Sequence, residues 1–267
     1  MLSVLLYAIN GGVDDKTKVQ VGPKYRPITS EYLDYDEVME RYDRDDGMVS
    51  RMFMLMLLTS FIICMINTTY ERLLRWHLLM QMLRDSSQQV LQDFHVVVDS
   101  LSAIKYAKVK AIREILKTVL LLHYETEGDF PKYGNDDDRA DDIAVWLLKS
   151  FLDKIKKRHT YRNSEPTTSI LTITSNVVYG KFTGNMPDGR KAGTPLAPGA
   201  NPSYGAEQNG LLASLNSLTK LPYEWALDGI SNTQTMNPDA LGHDDSERVN
   251  NLVQRNGRIL RSGCSSP

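Results

Sequence analysis

The sequence predicts a mixed α/β fold, and three stretches carry that expectation. "NDDDRADDIAVWLLKSFLDKIKKR" places Ile143, Val145, Leu147, Leu148, Phe151, Leu152 and Ile155 at helical spacing, giving an apolar stripe over residues 143–158. "TTSILTITSNVVYGK", residues 167–181, is rich in β-branched side chains and reads as a buried strand. Between them and the next helix, "TGNMPDGRKAGTPLAPGANPSYG" (183–205) is too dense in glycine and proline for any regular element.

The other elements follow in chain order. "MLSVLLYAINGG" reads as an apolar helix closed by Gly11 and Gly12, which tolerate a left-handed cap. A loop punctuated by Gly22, Pro23 and Pro27 leads to "SEYLDYDEVMERYDR", a short helix that Asp34 or Asp36 would cap. "MFMLMLLTSFIICMI" (52–66) is the most hydrophobic passage and reads as a buried helix. Its 15 residues fall short of the roughly 20 that a helix needs to cross a bilayer. "DSLSAIKYAKVKAIREILKTVLLL" (99–122) suits a helix on periodicity. In the 143–158 helix, acid before the first turn and Lys154, Lys156, Lys157 and Arg158 at the end both complement the helix dipole. "QNGLLASLNSLTKLP" is a further helix, ended by Pro222.

Composition narrows the chemistry. With 31 basic and 33 acidic residues among 267, the chain has no basic excess to hold nucleic acid or an anionic membrane surface. Two isolated cysteines, Cys64 and Cys264, support neither a disulfide framework nor a zinc site, and a reduced cytoplasmic setting is expected. The acidic run from Asp136 to Asp142 lacks the ligand spacing of a hard-cation loop and reads as a solvated helix cap. His159, beside Lys157 and Arg158, reads as a helix-end cation rather than a base. The 183–205 loop is neither a Walker loop nor a dinucleotide fingerprint. A long structureless loop is either functional, shaped by its backbone around a ligand, or structural, and the residues leave both open.

Several long motifs occurring in one order carry a resemblance. "LLYAINGGVDD", "DSLSAIKYAKVK", "EGDFPKYGNDDDRADDIAV", "LTITSNVVYGKFTGNMPDGRKAGTPLAPGANP" and "ASLNSLTKLPY" resemble pyruvate formate-lyases (formate acetyltransferases), which are glycyl radical enzymes. The likeness covers roughly residues 5–50, 96–113 and 123–255. "PDGRKAG", Pro187 to Gly193, is similar across glycyl radical enzymes, while "SAIKYAKVK" and "FPKYGNDDDRADD" narrow the likeness to the formate-lyase branch. The resemblance implies a fragment of a ten-stranded α/β barrel, one partial domain over residues 1–267. It implies a post-translational glycyl radical and coenzyme A as co-substrate, with no cofactor bound in this chain. Pyruvate, a radical-SAM activating enzyme and a second copy of the full-length protein are the partners it implies. A 2-ketobutyrate formate-lyase, another glycyl radical enzyme or a non-catalytic scaffold remnant are the alternatives. The family's catalytic cysteine pair is expected before the first residue and its radical glycine beyond the last. Cys64 and Cys264 match neither, so no catalytic or metal-binding residue is assigned.

The resemblance breaks at about 53–95, 114–122 and 256–267. "NGRILRSGCSSP" can be encoded so that reading from the second base gives MDGYFAQGAHHL, which continues the family pattern. Read from the third base, Phe53 to Thr69 can give YVNALNIIHYMHDKYN and, shifted equally, Gln88 to His95 AGFAGLS; Lys117 to Leu122 can similarly give NGLAT. These segments are therefore expected to be out of frame, with Cys64 carrying no functional weight. The chain as written puts apolar residues on every face of 52–66, which predicts poor solubility in isolation.

Overall fold

In a computed structural model, residues 2–14, 18–21, 24, 26–44, 86–91, 94–116, 119–157, 165–171, 175–235 and 237–263 are described. The 52–66 run, Cys64, Cys264 and His159 lie outside them. At the centre is a helix, α3 (Phe94–Tyr106), buried at every position from Phe94 to Ile104. Around it pack α1 (Leu2–Asn10) and α4 (Asp138–Lys156). Helix α1 contributes Val4, Leu5, Leu6, Ala8 and Ile9 to the core and ends, as expected, in Gly11 (φ 69°) and Gly12 (φ 85°). A second helix, α2, spans residues 35–44, and Asp34 caps it by accepting from the Glu37 amide at 2.9 Å. The amphipathic pattern of α4 places Ile143, Leu147, Leu148, Leu152 and Ile155 inward, with Asp137 as N-cap accepting from the Arg139 amide.

Strands β1 (Ser86–Leu91) and β4 (Glu165–Ile170) pair in parallel, from Ser86 opposite Glu165 to Leu91 opposite Ile170. Parallel neighbours need a long crossover, here α3, a hairpin and α4, which is the α/β arrangement. Residues 228–231 extend this ladder: Asp228 donates to the Thr168 carbonyl, Ile170 to Gly229 and Ser231 to Ile170.

Two elements depart from the sequence expectation. The 99–122 helix ends at Tyr106. Its remainder is β2 (Lys108–Leu116), paired antiparallel with β3 (Val119–Glu127). The reason is visible at the start of β2, where Val109 and Ala111 are buried and Lys108 is exposed; that alternation has a period of two. Lys110 meanwhile pairs with Glu31 at 2.7 Å. The 167–181 strand likewise stops at Ile170, and Asn176–Phe182 form helix α5. Its β-branched Val177 and Val178 point outward, 44% and 50% exposed. Tertiary bonds outweigh their strand preference: the buried Asn176 amide donates to the Leu196 carbonyl at 2.7 Å, and Arg190 grips the Gly180 carbonyl at 3.0 Å. After the long loop, α6 (Gly210–Thr219) ends three residues before Pro222, and α7 (Asp245–Gly263) closes the described chain. No helix among the described residues is long and apolar enough to cross a membrane.

Candidate functional site

The 183–205 loop is built by its own polar groups. Met186–Gly189 is a proline turn, with the Gly189 amide donating to the Met186 carbonyl at 3.1 Å and Gly189 itself at φ 92°. Asp188 accepts from the Arg190 amide at 3.1 Å, and Asn185 accepts from the Ala192 amide at 2.8 Å. The Arg190 guanidinium ties three carbonyls, Gly184 and Gly180 at 3.0 Å each and Thr194. A side chain at Gly180 would lie 2.9 Å from the Pro195 Cα, so only glycine lets the loop close on α5. Thr126 of β3 donates to the Pro187 carbonyl at 2.7 Å, and Asn135 donates to Ala206 at 2.8 Å while accepting from the Gln208 and Asn209 amides.

Between this loop and α3 lies a cavity of about 220 Å³, into which His95, Asp99, Lys132, Asp188, Arg190 and Ser203 converge. Asp99 is the junction. One carboxyl oxygen accepts from the Tyr133 amide at 2.8 Å and the other from the Ser203 hydroxyl at 2.8 Å. Burial pushes its carboxyl up to about 7, helped by the charge of Asp188 and opposed by both hydrogen bonds and by Lys132. Asp188, at the cavity wall, is raised by burial to about 6, against Arg190 and Lys132. His95 is fully buried, and its ring nitrogens have no close hydrogen-bond partner beyond a contact with the Gly199 backbone. Burial, with Arg190 adding to it, lowers its imidazole to about 3, and the Gly199 backbone hydrogen bond opposes both. The site is therefore a pocket of carboxyl, guanidinium and neutral imidazole groups, suited to holding protons and small polar molecules. It contains no thiol among the described residues.

The acidic run forms a second cluster. Lys220, the C-cap of α6, meets Asp136 and Asp138 at 2.7 Å and Asp141 at 2.8 Å. Ser217 donates to Asp141 at 3.1 Å and accepts from the Asp136 amide at 2.9 Å. Burial works to lower the Lys220 ammonium, but the three carboxylates outweigh it and hold it above its usual range. Burial raises Asp141, against Lys220 and Ser217. The run is thus a solvated cap only in part: Asp137 caps α4, residues 138–142 form its first turns, and Asp141 is buried against Lys220 and Ser217 rather than solvated. No group of three or more His, Cys, Asp or Glu among the described residues is placed to hold a metal ion.

The loop that the sequence singles out forms a wall of the cavity beside α3. Asp99 and Ser203 lie inside quoted motifs, yet nothing in their spacing signals that they meet across 104 residues. His95 gave no signal at all.

Solved structures share this fold. The glycerol-bound B12-independent glycerol dehydratase from Clostridium butyricum superposes with a TM-score of 0.74 at 22% identity, over 97% of this chain and 34% of that one. A glycyl radical enzyme from Archaeoglobus fulgidus gives 0.69 at 22% identity, over 97% and 35%. Hydroxyproline dehydratase from Clostridioides difficile gives 0.69 at 20%, over 97% and 35%. The fold is that of part of a glycyl radical enzyme barrel, as the sequence predicts.

Within that class, the chain belongs to the pyruvate formate lyase-like family, whose model matches residues 1–180, with a glycine radical model matching 196–264. Formate acetyltransferase 1 of Escherichia coli (strain K12) is 49% identical over 254 residues, 95% of this chain and 33% of the relative. The chain spans about a third of the length of that curated relative.

Proposed function

We propose that this chain is part of a formate C-acetyltransferase, converting pyruvate and coenzyme A to acetyl-CoA and formate by glycyl and thiyl radical chemistry in anaerobic fermentation. The observation that carries the reading is the 49% identity to a formate acetyltransferase across 95% of the chain. The reaction is redox-neutral: the carbon–carbon bond of pyruvate breaks, the carboxylate leaves as formate, and the acetyl group passes to a thiol. The glycyl radical would supply hydrogen-atom abstraction. The cavity offers no thiol to receive it among the described residues, so no radical step is assigned to it.

The reading places a radical-SAM activating enzyme, a homodimer and the cytoplasm around the full-length protein, and no catalytic residue within this chain. It also treats 1–267 as one partial domain in which about 53–95, 114–122 and 256–267 are translated out of frame. Support comes from the shifted readings, which restore family-like sequence in each segment.

Two experiments test this. The full polypeptide encoded by the gene, co-expressed anaerobically with an activating enzyme, is expected to exchange labelled formate into pyruvate. A radical signal without that exchange would point to another substrate and overturn the assignment. Sequencing the gene across the three segments decides the frame; the idea fails when no alternative frame there encodes family-like protein.

A further inference from the structure

Asp99 occupies an unusual place. It is the α3 side chain that ties together two segments distant in sequence, the 131–134 turn through the Tyr133 amide and the glycine- and proline-rich loop through the Ser203 hydroxyl. Its carboxyl is 1% exposed, and it shares the 220 Å³ cavity with a second carboxyl, Asp188, carried by the same loop that Ser203 belongs to. We propose that Asp99 is a proton-controlled latch that fastens the 186–206 loop to α3 and releases it when Asp99 and Asp188 are both charged.

The chemistry of the bond permits this. A serine hydroxyl donates to a carboxylate and accepts from a carboxylic acid, so protonation of Asp99 preserves the Ser203 contact. Loss of that proton instead leaves an ionised group in a buried place facing a like charge, and both penalties are relieved when the loop withdraws and water enters. The groups facing Asp99 from each packed element set the balance. On the loop, Asp188 opposes its ionisation. Arg190 on the loop counters the charge of Asp188, and its guanidinium is committed to backbone carbonyls. On the turn, Lys132 favours the ionised form, while on α3 itself His95 is neutral and contributes no charge. The raised ranges of the two carboxyls, about 7 and about 6, put the change near neutrality.

Hydrogen–deuterium exchange on the full polypeptide encoded by the gene tests the latch. After correction for intrinsic exchange, amides of residues 183–206 are expected to exchange several-fold faster at pH 8 than at pH 6, while those of α4 do not change. In Asp99→Asn, the pH dependence should vanish. In Ser203→Ala, which removes the loop arm alone, exchange should be fast at both pH values. A wild-type loop that follows the intrinsic rate at every pH overturns the proposal, as does an Asp99→Asn protein that keeps the dependence. Should Asp99→Asn fail to fold, Ser203→Ala decides: protection at pH 6 equal to wild type refutes the latch.

Discussion

His95→Ser separates two opposing proton linkages at the same cavity. The imidazole, unfolded near 6.5, is held at about 3 when folded. A depressed pKa contributes stability that is present above 6.5 and lost as pH falls toward 3. At about 1.4 kcal/mol per unit, the loss between pH 6.5 and pH 4 is about 3 kcal/mol. Asp99 behaves in the opposite sense. Its carboxyl is raised from 3.8 to about 7, so its stability contribution is complete below 3.8 and disappears as pH rises through 7. Over the same acidification it gains about 3 kcal/mol. The two nearly cancel in the wild type. His95→Ser should therefore gain stability relative to wild type, by about 3 kcal/mol, on going from pH 7 to pH 4, and Asp99→Asn should lose about 3. At pH 7 the absolute effect of His95→Ser is smaller: relief of a poorly paired buried nitrogen, about 1–3 kcal/mol, is offset by the cavity the ring leaves. Urea midpoints of the full polypeptide at pH 4, 5, 6 and 7 give the profiles, and subtracting wild type removes the other carboxylates. A flat difference profile for His95→Ser would show that burial does not hold the imidazole neutral, and the reasoning would fail.

Three further outcomes are expected. Lys220→Met leaves Asp136, Asp138 and the buried Asp141 facing one another without their cation; breaking a buried pair costs 3–5 kcal/mol, and discounting for a side chain 33% exposed leaves about 2–3 kcal/mol, read as a lower urea midpoint. Gly180→Ala drives a methyl into the backbone of Thr194 and Pro195 and should cost about 1–3 kcal/mol, with faster proteolysis of the 183–205 loop as the companion signal. Asp137→Ala removes the cap of α4 and should cost about 1 kcal/mol, with faster amide exchange confined to its first turn.

Legibility in the sequence tracked how local the determining forces are. The α4 stripe, the Asp34 and Asp137 caps and the paired glycines after α1 are decided within a turn or two of chain, and the sequence shows them. The 99–122 and 167–181 stretches misled for one shared reason. Apolar, β-branched runs are compatible with either state, and distant bonds choose between them: the hairpin register for Lys108–Glu127, and Leu196 with Arg190 for α5. The cavity is the extreme case. Asp99, Tyr133, Asp188 and Ser203 come from three separate motifs, and their carboxyls are ordinary in sequence until burial brings them together.

The seam at Val96 joins the sequence and structural arguments. From Val96 onward the chain resembles its family, and the polar residues of α3 answer to their surroundings. Asp99 accepts two hydrogen bonds, and Ser102 donates to the Pro131 carbonyl at 2.5 Å; Ser100 alone leaves a single hydroxyl unpaired. Immediately before the seam, Phe94 packs edge-on against Tyr133 at 5.9 Å, and His95 buries two nitrogens with only the Gly199 backbone to meet them, beside a guanidinium that opposes its protonation. The shifted frame proposed for this segment ends in leucine and serine. An apolar side chain at position 94 packs under either reading, so it discriminates nothing. Position 95 bears more on the question, because a small hydroxyl has one donor to satisfy and can turn it toward the preceding helical carbonyls or into the cavity, whereas a buried imidazole presents two nitrogens and a charge state that burial and Arg190 both oppose. A ring forced neutral beside a guanidinium is the cost that a serine at this position would not carry.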